Sequence, residues 1–307
     1  MTLRAHLFRL FAGLIVLALT LAGGFALFMA QMPRWGATPA EAAQALPGDE
    51  LLSAPLISWT NARTINAPPD QVWPWLAQMG DTRGAFYSFT FIEDRVGALT
   101  GAAEYAVNYT NANAIHPEWQ NPQPGEEIIQ GTLKWERFEP GRWLLASSAN
   151  PDVMGWTWLW QIAPTADGQG TRLVNRIRIQ PMGVGDNPIV SFFVGNGAFI
   201  MEQRMMYGIK AHAEGWVEPP YQEAVEIVLW CVALLAGLAG AVLFVARQPW
   251  IVPLTVAVAS INVILVFTFA QPPIAVRVLL DVALLAGVWV AGRKRAVSRT
   301  TDAVPLT

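Results

Sequence analysis

The stretch ISWTNARTINAPPDQVWPWLAQMG, residues 57–80, changes its hydrophobic period half-way along. Its first part, Ile57 to Ala67, alternates and is rich in β-branched side chains, the pattern of a half-buried strand. Pro68-Pro69-Asp70 then brings prolines and an acidic cap, which is a helix start. From Asp70 to Met79 the spacing predicts a helix with Val72, Trp73, Leu76 and Met79 on one face, ended by Gly80-Asp81. A strand that feeds a short amphipathic helix announces a mixed domain.

The segments C-terminal to Gly80 set the class. Residues 81–126 read as loop-rich, with Phe86, Tyr87, Phe89 and Phe91 and later His116-Pro117-Glu118-Trp119. Strands are predicted at Glu127 to Phe138, Arg142 to Ser148, Gly155 to Ala163 and Thr171 to Gln180. Glu139-Pro140-Gly141, Asn150-Pro151-Asp152 and Asp167-Gly168-Gln169-Gly170 supply the turns between them, and strands at hairpin spacing make an antiparallel sheet. Trp156, Trp158 and Trp160 share one face of it, because side chains alternate along a strand. A long helix, about Pro188 to Gly215, closes the domain. Val194, Ala198, Met201, Met205, Gly208 and His212 form one stripe on it, opposite Asn196, Gln203, Lys210 and Glu214. The class is α+β.

The flanks are of another kind. Of the 307 residues 53% are hydrophobic and only 14% charged, against roughly 25% charged in a soluble domain. Leu10 to Met32, Ile227 to Ala246 and Trp250 to Ala270 carry no charge, and Pro273 to Ala291 carries Arg277 and Asp281. Each run is long enough to cross a bilayer as a helix. Arg247-Gln248-Pro249 and Gln271-Pro272-Pro273 break the last three apart. Arg277 and Asp281 stand four apart on one helix face, a spacing suited to a pair. The first run exceeds the apolar core of a signal peptide, so an uncleaved anchor is expected.

The expected organisation is an anchor at 1–32, a connector at 33–52 with a short helix at Pro39 to Ala45, a folded domain at 53–220, and three membrane helices (about 224–246, 250–270 and 273–292) with a tail at 221–307. Arg4, Arg9, Arg247, Arg293-Lys294-Arg295 and Arg299 fall on one side of a four-span arrangement. By the positive-inside bias that side is cytoplasmic, which puts both termini there and the central domain outside the plasma membrane. Glu218, Glu223 and Glu226, before the second run, agree with this placement.

Composition also excludes functions. Net charge is −3 and no basic block lies in mid-chain, so nucleic acid is not an expected partner; protein partners stay open. Cys231 is the single cysteine, which rules out an intrachain disulfide and a cysteine metal cluster. The sequence has no glycine-rich phosphate loop, Gly-x-Ser-x-Gly elbow or His-Glu-x-x-His, and no cofactor or metal is expected. His116 with Glu118 is the one candidate acid/base pair, provided the two converge.

The order of elements, together with Ile65 to Leu76 and Met79-Gly80, Gly84 to Ser88, Ile115 to Gln120 before Pro124-Gly125-Glu126, Thr171-Arg172-Leu173 with Arg176, and Met201-Glu202 running to Met205, Gly208 and Ala213-Glu214, resembles the START-like (SRPBCC) superfamily of polyketide cyclase and lipid transport proteins. It covers roughly Ser53 to Gly215. Gly84-Ala85-Phe86 departs from the Gly-Gly-Trp-like run expected there, and the soluble members lack membrane spans. The resemblance implies a helix-grip fold, a curved antiparallel sheet around a long C-terminal helix, with an apolar cavity between them. An apolar small molecule or lipid and the bilayer itself are the partners it implies.

Eleven of the 14 tryptophans lie between Trp35 and Trp216, and rings of that size either line a pocket or fill a core. Candidate ligand contacts are Trp73, Phe86, Tyr87, His116 and Trp119 from the first half of the domain. Trp135, Trp158, Arg176, Met201 and Met205 complete the set. Methionine suits an adaptable floor. Arg176 and Arg178 share a strand face and either reach an acidic head group or form ion pairs. The expected function is membrane-tethered binding of a lipid-like ligand. A cyclase/aromatase-like or hydrolytic enzyme, and a partner-binding or sensor module, are the alternatives.

Overall fold

The computed structural model describes residues 3–89, 112–151, 154–181, 188–217, 219, 221–246 and 250–293. Phe91, Asp152, Glu218, the Arg247-Gln248-Pro249 break and the basic Lys294, Arg295 and Arg299 lie outside the described residues, as does the side chain of Val194. The fold is α+β, with a six-stranded antiparallel open sheet and seven α-helices among the described residues. In chain order these are α1 (Leu3–Gln31), α2 (Pro39–Ala43), β1 (Ile57–Ile65), α3 (Pro69–Ala77), β2 (Glu127–Ile129), β3 (Leu133–Glu139) and β4 (Trp143–Ser148). Then come β5 (Met154–Pro164), β6 (Thr171–Pro181), α4 (Pro188–Ala213), α5 (Gln222–Ala246), α6 (Ile251–Leu265) and α7 (Ile274–Gly292). The chain divides into two compact units: Ala26–Val225 with Phe269–Gln271, and the remainder.

The first unit holds the sheet, in the order β1-β6-β5-β4-β3-β2. Residues facing each other across antiparallel strands point to the same side. Trp59 faces Ile177, Ile177 faces Trp158, Trp158 faces Ala146 and Ala146 faces Trp135, so one row crosses five strands. Three tryptophans stand on that row. The strand expected over Glu127 to Phe138 is two strands, because Gly131 adopts a left-handed φ of 66° and Thr132 N–H bonds back to the Ile129 carbonyl.

The opposite side of the sheet is covered by residues 33–52, the stretch expected to be a connector. Leu46 packs with Ala62, Leu145, Leu159 and Val174. Gly36, at φ 71°, approaches β1 so closely that a Cβ would lie 2.2 Å from the Ala62 carbonyl oxygen. Arginines from β6 hold this strap. Arg172 binds the Glu41 carboxylate and the Gly36 carbonyl. Arg176 donates to Thr60, to Asp49 at 2.6 Å, and to the carbonyls of Glu41, Ala42 and Gln44 at the end of α2. Arg178 reaches the other Asp49 oxygen at 2.7 Å. Arg172 holds the Glu41 carboxyl down at about 2. For Asp49 burial works upward, but the Leu46 amide and the Arg178 and Arg176 charges outweigh it and keep the carboxyl below its ordinary range.

On the inner side lie α3 and α4. Val72, Leu76 and Met79 are buried as their spacing predicts, whereas Trp73 is half-exposed. Trp75 is half-exposed as well, but its ring stacks on His212 of α4 with centroids 4.6 Å apart. α4 is buried on more than one face: Gln203, expected to face solvent, is 2% exposed. Phe199 meets Trp35, Trp59 and Phe269, and Gln271 donates to the Ile200 carbonyl, so apolar rings cover the side turned from the stripe.

Four helices, most of whose residues fall in the second unit, are long and apolar enough to cross a membrane: Leu3–Arg34, Gln222–Ala246, Ile251–Ala270 and Ile274–Gly292. Small residues set their approach, as in membrane bundles. A Cβ on Gly240 would lie 2.9 Å from the Pro253 carbonyl oxygen, and one on Gly13 would meet the Phe244 ring at 2.3 Å. Arg277 turns back toward the start of α7, where its Nε donates to the Pro272 carbonyl at 2.8 Å and NH1 lies 3.5 Å from the Glu226 carboxylate. The expected partner was Asp281. That carboxylate is buried one turn further along and accepts no hydrogen bond among the described residues.

Candidate functional site

The loop after α3 is the first component. Gly80 and Ala85 exchange backbone hydrogen bonds of 3.2 and 3.0 Å, and Ala85 and Tyr87 both hold left-handed φ values, 65° and 59°. Left-handed non-glycine residues are strained and persist where the surroundings hold them. Here Arg83 does the holding, with bonds to Glu126 and to the carbonyls of Ala77 and Trp119. The two reversals send successive side chains opposite ways. Tyr87 enters the crevice between α3 and α4, its hydroxyl donating to the Trp75 carbonyl at 2.9 Å; Phe86 points to the sheet and meets Trp158 at 6.0 Å. Gly208 makes room for Tyr87, whose carbonyl oxygen would lie 2.5 Å from a Cβ there.

Between sheet, loop and α4 lies a cavity of about 310 Å³, at the lower end of the ~300–1,000 Å³ typical of ligand pockets. Phe86, Trp156, Trp158, Ile177, Met201 and Met205 line it with Ile129 and Ala198. Met205 is 3% exposed and forms its floor; Met201, 41% exposed, stands at its mouth. Two carboxyls, Asp81 and Glu202, complete the lining.

Their environments differ. Asp81 accepts from the amides of Thr82 and Gln130 at 2.7 and 2.9 Å, one on each oxygen. Burial raises its pKa, with those amides working against the rise. Glu202 is 1% exposed and its Oε1 accepts from Asn61 Nδ2 at 3.0 Å. Oε2 is buried and meets no hydrogen-bond partner among the described residues. Burial, only partly offset by Asn61, pushes this carboxyl up to about 8, so it is protonated at neutral pH. Asn175 faces Asn61 across the strands, and its amide is likewise buried without a partner among the described residues.

Of the residues selected from sequence, Phe86, Trp158, Met201 and Met205 meet at this cavity. Tyr87 and Trp135 are buried in the core beside it, Trp135 on the same sheet row as Trp158. Trp73 does not line it. His116 Nδ1 and Glu118 Oε1 are 3.5 Å apart, but Glu118 is 61% exposed, and the pair sits with Trp119 on a segment tied to Gln78, away from the cavity lining. Arg176 and Arg178 sit on the other side of the sheet, in the strap.

A scan of known protein families and a search of curated protein sequences return no match to this chain. Sequence reasoning missed Glu202 and Asp81. Glu202 stands next to Met201 and three residues before Met205, at the edge of the apolar stripe, and that position was its one visible signal. Asn61 gave none, being a polar residue in an alternating strand.

Proposed function

We propose that this chain is a membrane-tethered binding protein that holds one apolar, lipid-like molecule between its sheet and α4, in the helix-grip manner of START-like proteins. The observation that carries this reading is the cavity of about 310 Å³, lined by aromatic, aliphatic and methionine side chains and bordered by a strained loop. Its placement is part of the proposal: both termini cytoplasmic, the sheet domain on the outer side of the plasma membrane. Arg9 near the start of α1 donates to the Val245 carbonyl near the end of α5 at 3.1 Å, which supports α1 and α5 running antiparallel. A domain fixed in sequence between two spans stays near the bilayer, where a lipid-like ligand is concentrated. Binding is favoured over catalysis because the His116–Glu118 pair lies away from the cavity.

Native mass spectrometry of the full chain, released from detergent, tests the binding reading: a bound lipid-sized mass is expected, and a bare polypeptide across several detergents would refute it. Reporter fusions near residue 150 and at the C-terminus test the placement separately.

A further inference from the structure

Three polar atoms on residues that line the cavity are buried without a partner among the described residues. Trp156 Nε1 and Trp158 Nε1 are buried and meet no acceptor among the described residues, and an indole N–H is a donor only. Each Asp81 oxygen already accepts from one backbone amide. Asn61 occupies Glu202 Oε1, while Oε2 of this lining residue is buried with no partner among the described residues. A protonated carboxyl places its hydrogen on the oxygen that is not accepting, so Oε2–H is a third donor. Among the described residues no Lys, Arg or His lines the space, and an anion buried there would be uncompensated.

Taking the binding reading above as its basis, we propose that the ligand is a neutral molecule with one apolar chain and one hydrogen-bond-accepting oxygen, a ketone, ester or ether type of group, seated on Glu202 Oε2–H and the Trp156 and Trp158 indole N–H groups. Phe86, Ile177 and Met205 flank the chain. A cavity of about 310 Å³ holds roughly ten groups of water or methylene size at ~30 Å³ each, which sets a chain of about ten carbons inside.

The test uses the full chain in lipid nanodiscs, with the apolar fluorophore N-phenyl-1-naphthylamine as cavity probe and a matched set of competitors: 2-undecanone, undecane and undecanoate. At neutral pH the ketone is expected to displace the probe about tenfold more effectively than undecane, the factor one net hydrogen bond supplies. Undecanoate is expected to be weakest. Glu202→Gln keeps an N–H donor at the same place and retains the ketone preference; Glu202→Met and Trp158→Phe each reduce it. Raising the pH through about 8 ionises Glu202 and removes the preference from the unmodified chain but not from Glu202→Gln. Asp81, the other titratable group in the lining, is common to both proteins. A carbonyl stretch lowered on binding and restored in Glu202→Met reports the hydrogen bond directly. Equal displacement by ketone and undecane, or tightest displacement by undecanoate, overturns this inference and leaves apolar binding standing. A probe that binds no better than to empty nanodiscs overturns both. Should Glu202→Met fail to fold, the ketone-to-undecane ratio in the unmodified chain and in Trp158→Phe decides.

Discussion

Glu202 Oε1 accepts a hydrogen bond from Asn61 Nδ2 at 3.0 Å, so the middle of α4 is joined to β1 through a carboxyl that is kept neutral. The linkage has a definite sign. Below the ordinary value of 4.5 the group is protonated folded and unfolded alike. Between 4.5 and about 8 the unfolded chain gives up a proton that the folded one retains, so stability falls as pH rises and then levels off. The full loss is on the order of 5 kcal/mol. Glu202→Gln has no such group. Melting temperatures of the full chain and the variant should match near pH 4.5 and diverge toward pH 8, the variant being the more stable. Parallel curves would mean that the carboxyl ionises freely.

His212 gives the opposite slope. Burial against Trp75 and Tyr87 lowers its pKa from 6.5 to about 4. Stability from this group is present above 6.5 and is lost as pH falls toward 4, on the order of 3 kcal/mol in all. His212→Phe preserves a ring for Trp75 to stack on and removes the titration. Acid unfolding of the variant should therefore begin at lower pH, measured by tryptophan emission between pH 7 and 4.

Arg176 is the pin of the strap. Replacing it with Met leaves the Glu41, Ala42 and Gln44 carbonyls and Thr60 without this donor and Asp49 with Arg178 as its remaining guanidinium. Removing one partner of a buried pair costs about 3–5 kcal/mol. Arg172→Met breaks a half-exposed pair and should cost about 1 kcal/mol. Limited proteolysis should cut residues 33–52 readily in the first variant and sparingly in the second. Equal cutting would show that the strap is held by Leu46 and not by charge.

Period and punctuation made much of this fold legible. The alternation of Ile57 to Ala67, the Pro68-Pro69-Asp70 start and the turns at Gly141 and Gly168 gave strands and helices close to those observed, because each rests on local backbone preference. The four apolar runs were equally plain. Gly131, by contrast, splits one expected strand into two, since a single glycine in a β-rich run carries no sign of a left-handed turn. The strap was invisible for a different reason. Its arginines, Arg172, Arg176 and Arg178, fall at even spacing on one face of β6, which fits solvent and ion pairs equally, and their acidic partners lie more than a hundred residues earlier. Trp73 and Trp75 show the same limit: both are large and apolar, and the rotation of a short helix decides which one meets His212. Glu202 escapes notice because a charged residue in a long helix ordinarily faces water.

Filling the cavity separates a ligand site from a packing defect. Ala198 lines it from α4, one turn before Glu202, and Ala198→Phe carries a ring into the space without replacing Glu202, Asn61 or any residue of the Tyr87 loop. If the space serves only as a void, its closure recovers part of the ~24 cal/mol per Å³ that an unfilled cavity costs, and nothing else changes. If it holds a ligand, the same ring excludes that ligand: affinity for an apolar probe should fall at least about tenfold while the melting temperature stays level or rises. Met205→Ala enlarges the floor and should do the reverse, losing about 2–5 kcal/mol of stability while still taking the probe. Opposite movement of stability and binding in the two variants is the signature required, because a mutation that merely unfolds the domain lowers both together.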